Sequence, residues 1–393
     1  MKNPINVVIE GVKTSSNRVY RSPIHCPRRI ALHLCLPSIL LVLSGSILTL
    51  SEAADTPAAS ARWLPVAPMS IPRSLHTATL LPNGKVLVAG GLSTGTVEAS
   101  AELYDPATGT WEAANSMSET RVGHYAFLLD DGRVLVITGN VSDPKSTEFY
   151  DPNTGVWTPG PSVLQKRSNF AATRLADGRI LVAGGRGDNG LVRDCELYDP
   201  VANAWQLTGA LNFRRVSANA ILLADGRVLL TGGRNASDRT LVSAEVYDPA
   251  TGSWTVTGKM NKARSSCAAV LLDTEEVLVA AGGDKPTKLA ELFDPVTGNW
   301  TLTGTANFAF VEPTITLLPS GNALVAGGFG NPVYQGSSLY DPATGNWAPS
   351  SKVQGTHGSG ATATLLANGE VLLLGGMDGN FMPTADADLY QSR

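Results

Sequence analysis

Leu80-Leu81-Pro82-Asn83-Gly84-Lys85-Val86-Leu87-Val88-Ala89-Gly90-Gly91, followed by Ala101-Glu102-Leu103-Tyr104-Asp105-Pro106-Ala107-Thr108-Gly109-Thr110-Trp111, is one copy of a unit that recurs along this chain of 393 residues. A short apolar run ends in Gly-Gly or its near equivalent seven times. Tryptophans keep the same beat: Trp111, Trp157, Trp205, Trp254, Trp300 and Trp347 are separated by 46, 48, 49, 46 and 47 residues. Each unit reads as four short strands. Strand a is the alternating segment His76 to Leu81, strand b is Val86-Leu87-Val88, strand c is Glu102-Leu103-Tyr104, and strand d surrounds the Trp. Asn83-Gly84 supplies the positive-φ residues of a two-residue hairpin turn. Asp131-Gly132, Asp177-Gly178, Asp225-Gly226 and Asn368-Gly369 repeat it, whereas Thr274-Glu275 lacks the glycine and predicts a different turn in the fifth unit. In the Asp-Pro-x-Thr-Gly segment between c and d, Asp caps locally, Pro presets φ and Gly accepts the left-handed region.

Strands a, b and c occur seven times, but d follows only six of them, because the chain stops at Arg393. The missing copy lies at the other end. Trp63 stands 48 residues before Trp111, and Trp63-Leu64-Pro65-Val66-Ala67-Pro68-Met69 resembles Trp111 to Met117. Four-stranded units of about 50 residues stack into a closed ring that leaves no large sheet edge exposed. The expected fold is therefore all-β: a seven-bladed propeller of four-stranded antiparallel blades. It spans 61–393, with a closing strand near 61–66 completing the last blade at 357–390.

Residues 1–54 read as a signal peptide or N-terminal membrane leader, and 55–60 as a short linker. A basic stretch ending in Arg28-Arg29 precedes the apolar run Ile30 to Leu50, and Ser51-Glu52-Ala53 offers small residues for cleavage. The run is long enough for a retained anchor. Either way the expected location is secreted, periplasmic or cell-surface. The leader carries a net charge of +4, which leaves −8 on the remainder. That balance argues against nucleic acid or an anionic membrane as partner, and leaves membrane contact only through the leader. Cys195 and Cys267 fall in different strands of non-adjacent units and predict no disulfide.

These motifs resemble the kelch-repeat family, in the secreted form that includes the propeller domain of galactose oxidase. The resemblance covers residues 61–390 and implies the fold. Such propellers serve as protein-binding platforms, carbohydrate-active enzymes and oxidase scaffolds, so the fold does not choose among functions. The oxidase resemblance implies copper held by two tyrosines and two histidines, one tyrosine being cross-linked to a cysteine. No such residue carries over. Tyr104, Tyr150, Tyr198, Tyr247, Tyr340 and Tyr390 are repeat tyrosines, His124-Tyr125 has the reverse order of the family pair, and the chain stops before the further domain that supplies a ligand in that enzyme. Neither cofactor, metal nor catalytic constellation is expected.

An Arg near the start of strand a recurs in units one to five (Arg73, Arg121, Arg167, Arg215, Arg264), and a Glu opens strand c in the same five (Glu102, Glu148, Glu196, Glu245, Glu291). Both are absent together from unit six, with Phe310 and Ser338, and from unit seven, with Gly358 and Asp388. Strands a and c lie about 10 Å apart, so the two side chains can meet across strand b, and Gly-Gly clears the space between them. They read as structural ion pairs, leaving an unpaired mouth at blades six and seven. His76 and His124 share one register position in adjacent blades and are candidate ligands. Function is expected in the b–c and d–a connections, which vary and share one face. Their most apolar tips are Phe329, Tyr334, Phe381 and Met382, beside Phe310 and His357. The expected function is a monomeric extracytoplasmic binding module that recognises a protein or glycan through this face. The alternative is a carbohydrate-active enzyme, either an oxidase of the galactose oxidase kind or a sugar epimerase.

Overall fold

A computed structural model describes residues 61–140, 142–330 and 336–392; the leader and Tyr334 lie outside the described residues. Seven four-stranded antiparallel sheets follow one another. In blade one the strands are Thr77–Leu80 (a), Val86–Ala89 (b), Ala101–Asp105 (c) and Thr110–Ala114 (d). Strands a stand side by side around the axis. Blade seven is assembled from both ends of the described chain: Arg62–Pro65 pairs with Ala387–Gln391 in the register Trp63↔Tyr390, completing Thr362–Leu365 and Val371–Leu374.

No single core fills the molecule. Hydrophobic seams run between neighbouring blades, such as the one joining Leu181, Leu197 and Leu211 of blade three to Leu230, Tyr247 and Trp254 of blade four. All four residues of strand b are buried in every blade, as a strand covered on both faces requires. Each Trp of strand d stacks on the aromatic residue of strand c, with ring centroids about 5 Å apart, as in Tyr104–Trp111 and Phe293–Trp300. In four blades its indole N–H also donates to a carbonyl of the preceding blade: Trp111 to Ala67, Trp157 to Asn115, Trp205 to Pro161 and Trp254 to Gly209.

The Gly-Gly pairs perform a different task from the one the sequence suggests. A Cβ on Gly90 or Gly184 would lie 2.7 Å from the carbonyl oxygen of Arg121 or Arg215 in the following blade, and one on Gly375 would clash with that of Arg73. The second glycine then donates its N–H to that same carbonyl, at 2.8 Å for Gly91 to Arg121. In these blades the pair is a backbone-to-backbone seam in which a Cβ would clash, whereas Thr138 and Ala281 take the first position in blades two and five at φ +58 and +61.

The a–b turns also differ from expectation. Leu81 N–H donates to Lys85 O and Gly84 N–H to Leu81 O, with Gly84 alone at positive φ. This is a three-residue loop: a type I turn over Pro82-Asn83, then a left-handed residue. Blade five keeps it without glycine, because Glu275 itself takes φ +68 and repeats both hydrogen bonds, to Leu272 and from Leu272 to Glu276.

Candidate binding face

Five buried ion pairs shape the face on which the b–c and d–a connections meet. Arg121 Nη2 lies 2.7 Å from Glu148 Oε1, and Arg73, Arg167, Arg215 and Arg264 make the same contact with Glu102, Glu196, Glu245 and Glu291. Every one of these guanidinium groups is at most 1 % exposed, so none lines an accessible ring of cations. Nη1 donates to the carbonyl that follows strand b and to one in the b–c connection, as Arg215 does to Gly232 and Ser243. The carboxylate accepts from the backbone of the d–a connection, as Glu245 does from Asn212 and Phe213. One pair thus fastens both loops of its blade to the sheet, in charge-assisted hydrogen bonds.

Blade seven corrects the expected register. Gly358 N–H donates to Met377 O as Ser74 N–H does to Leu92 O, which puts His357 and not Gly358 in the place of Arg73. Met377 N–H returns to Ser359 O, so the extra residue is absorbed as a bulge at Gly358-Ser359. His357 is fully buried. Its Nδ1 donates to Gly375 O and its Nε2 lies 2.9 Å from Asp388 Oδ2, while that carboxylate accepts from Gly355 N–H. His357 and Asp388 therefore stand in for Arg and Glu, and His357 is not at the surface. Among the described residues blade six alone lacks such a pair, and there Phe310 is 4 % exposed, packed with Ala281 and Val325. Phe310 is a core residue in place of the guanidinium, as burial of the neighbouring elements demands.

At the mouth of the channel each blade holds one residue at positive φ just before strand a: Leu75, Gly123, Asn169, Ser217, Ser266, Glu312 and Gly360. Their backbones are linked from blade to blade, Leu75 N–H to Gly360 O, Gly123 to Leu75, Ser217 to Asn169, Ser266 to Ser217 and Glu312 to Ser266. The Asn, Ser and Gly preference at that position was the available signal for this ring, since these residues tolerate the left-handed region.

His76 and His124 reach from strand a toward the preceding blade. His76 Nε2 is 2.9 Å from Thr362 Oγ1, and His124 Nε2 is 2.9 Å from Thr77 Oγ1. Both line a cavity of about 390 Å³ with Thr77, Tyr125, Thr314 and Thr362. Burial pushes both imidazoles down to about 3; the charges of Arg73 and Arg121 act in the same direction. They are neutral at pH 7, while the unfolded chain takes up its protons near pH 6.5. Between those values the unfolded state binds more protons, so stability falls as pH falls, by about 1.4 kcal/mol per unit for each histidine. From pH 7 to 5 we expect each to remove about 2 kcal/mol. His124→Phe, which copies Phe170 at the same position, should halve that dependence in urea titrations at the two pH values.

Among the described residues His76, His124 and Tyr125 line one cavity and the Nδ1 atoms of both histidines are buried without a hydrogen-bond partner, but no second tyrosine joins them there as the oxidase's copper set requires. Both Nε2 atoms are committed to threonine hydroxyls, the Tyr125 hydroxyl donates to Phe170 O, and the six repeat tyrosines stack on the tryptophans. Among the described residues no three His, Cys, Asp or Glu side chains converge. Cys195 and Cys267 are free and buried, and burial pushes the Cys195 thiol up to about 12.

On the outer loops two residues singled out from sequence do meet. The rings of Phe329 and Phe381 lie 5.2 Å apart, and Phe381 and Met382 are 55 % and 44 % exposed. Phe381 holds φ +61, an unusual conformation for a bulky residue. It is kept there by Asp378, whose carbonyl accepts from Phe381 N–H and whose carboxylate accepts from Asn380 and Met382 N–H.

Residues 73–118, 167–209 and 218–261 match the Kelch motif. These blades are kelch repeats. A solved structure described as a novel fungal alcohol oxidase with catalytic diversity among the AA5 family, in complex with copper, superposes on the chain with a TM-score of 0.71. It is 21 % identical, over 85 % of this chain and 76 % of that one. At that identity the likeness is one of fold. No curated protein matches the chain significantly. No helix among its described residues is long and apolar enough to cross a membrane.

Proposed function

We propose that this kelch propeller is an extracytoplasmic binding module, acting as a monomer, that recognises a protein or carbohydrate through the loop face of blades six and seven. The observation that carries this reading is the exposed Phe381-Met382 tip, packed on Phe329 and presented by a left-handed backbone. A bulky side chain in that conformation costs about 1 kcal/mol, a strain that functional sites retain. Aromatic and Met side chains are common interface anchors.

Phe381→Gly separates function from folding. Glycine removes the ring and accepts the positive φ, so unfolding free energy should stay level or rise by up to about 1 kcal/mol. Binding to immobilised glycans and to extracellular proteins of the source should weaken at least tenfold. Unchanged binding would sink the proposal. Release of hydrogen peroxide from a panel of sugars and alcohols by the purified protein would favour the alternative, an oxidase of the galactose oxidase kind. Turnover of a sugar without peroxide would point to an epimerase.

A further inference from the structure

Charge is strongly segregated around this molecule. Apart from the buried ion pairs, the d–a and b–c connections of blades three to five (160–169, 186–194, 209–216, 234–243, 258–266 and 284–289) carry ten Lys or Arg and four Asp. The corresponding connections of the other four blades carry two cations and six carboxylates. On the opposite face, the a–b turns and the Asp that opens each c–d turn give fourteen carboxylates against four cations. A domain with a net charge of −8 has thus gathered its excess positive charge in one sector of one face.

Within that sector Lys166 is paired with Asp188 and Arg234 with Asp284 and Asp238. Arg186, Arg214, Arg239, Lys262, Lys285 and Lys288 are exposed and face no carboxylate within ion-pair distance among the described residues. Their placement is fixed from below, because the d–a connections are fastened by the buried pairs and the b–c loops dock on the next blade through bonds such as Arg264 N–H to Leu241 O.

We infer that the loop face of blades three to five is a docking surface for an acidic polysaccharide, a chain of sugar carboxylates or sulfates running across the three blades. This lies beyond the reading given for blades six and seven and rests on the charge distribution alone. Three features select this chemistry. The cations are spread over consecutive repeats, which matches a periodic anion better than a single charged group. The interspersed Asp188, Asp238 and Asp284 are held against Lys166 and Arg234, and their remaining lone pairs accept hydrogen bonds from sugar hydroxyls, which a DNA backbone or a polyglutamate does not offer. Phe213, 49 % exposed beside Arg214, offers an apolar surface to the C–H face of a sugar ring.

The test is calorimetric titration of the purified full-length protein with a decasaccharide of galacturonate. A peptide of ten glutamates and a single-stranded DNA 11-mer, with ten phosphodiesters, serve as probes of equal charge. The decasaccharide should bind at about 50 mM salt, weaken steeply by about 300 mM, and lose at least tenfold in affinity in Arg214→Glu/Lys262→Glu. The neutral variant Arg214→Gln/Lys262→Gln should fall between. Lys352→Glu, a charge reversal at an exposed position in the d–a connection of blade seven, should bind the decasaccharide as the native protein does, which keeps this site separate from blades six and seven. Absence of uronate binding at low salt, or an affinity untouched by the charge reversals, would overturn the inference. Equal or tighter binding of the peptide or the DNA would do so as well.

Discussion

Glu245→Ala should cost about 3–5 kcal/mol of unfolding free energy, the range found when one partner of a buried ion pair is removed. The Arg215 guanidinium is 1 % exposed and would keep its charge with only the Gly232 and Ser243 carbonyls and the Ser243 hydroxyl to answer it. Asn212 and Phe213 would lose their acceptor in the same step. Arg215→Met/Glu245→Leu removes both charges and should cost less than the sum of the two single changes, since no uncompensated charge stays behind. It should not be neutral, because four backbone groups still lose partners. Blade six shows that such a blade folds, with Phe310 buried where the guanidinium would be. Denaturant titration of the two single variants and the double gives the coupling directly. A loss below about 1 kcal/mol in Glu245→Ala would show that the guanidinium finds other partners and that the pair does not fasten the loops.

Trp63→Ala should be comparably severe, at about 3–5 kcal/mol. Trp63 is 3 % exposed, stacks on Tyr390 at 5.1 Å and donates from Nε1 to Ser337 Oγ in blade six. It joins the seam of Leu318, Leu324, Val353 and Leu373, so its loss opens a cavity between blades six and seven. The consequence differs from that of Trp157, which is partly exposed in an internal blade whose strands are contiguous in sequence. Strand Arg62–Pro65 is held only by pairing and packing, and once it is released Ala387–Gln391 becomes an unpaired edge. Removal of residues 1–66 should therefore produce concentration-dependent association in sedimentation measurements, whereas Trp157→Ala should remain monodisperse. A monodisperse truncated protein would mean that blade seven stands with three strands.

Much of this architecture was legible because a repeat writes the same constraint many times. Seven alternating runs, the Trp beat and the Asp-Pro-x-Thr-Gly turns give the blade. Trp63, in step with Trp111 but upstream of any strand a, gives the closure. The paired absence of Arg and Glu from units six and seven correctly points to partnership across strand b. The reading of His357 failed because a one-residue bulge shifts the register there, and counting positions cannot detect an extra residue that the backbone absorbs. The a–b turn was misread for a related reason: Asn-Gly suits a two-residue hairpin, but the strands here close one residue wider and leave only the glycine left-handed.

Local pattern in the sequence by itself determined that this chain is a ring of seven four-stranded blades closed by its first strand, because strand periodicity, turn chemistry and repeat length are properties of near neighbours. Tertiary structure decided what the special residues do. Gly90 and Gly91 serve the backbone of the next blade, His76 and His124 are neutral wedges between blades, and His357 replaces an arginine in the interior. Phe329 and Phe381 form one exposed tip, and the cations of three blades collect on one face. Each of these depends on which groups meet across a seam or share a face, and burial, protonation and local field follow from that three-dimensional adjacency.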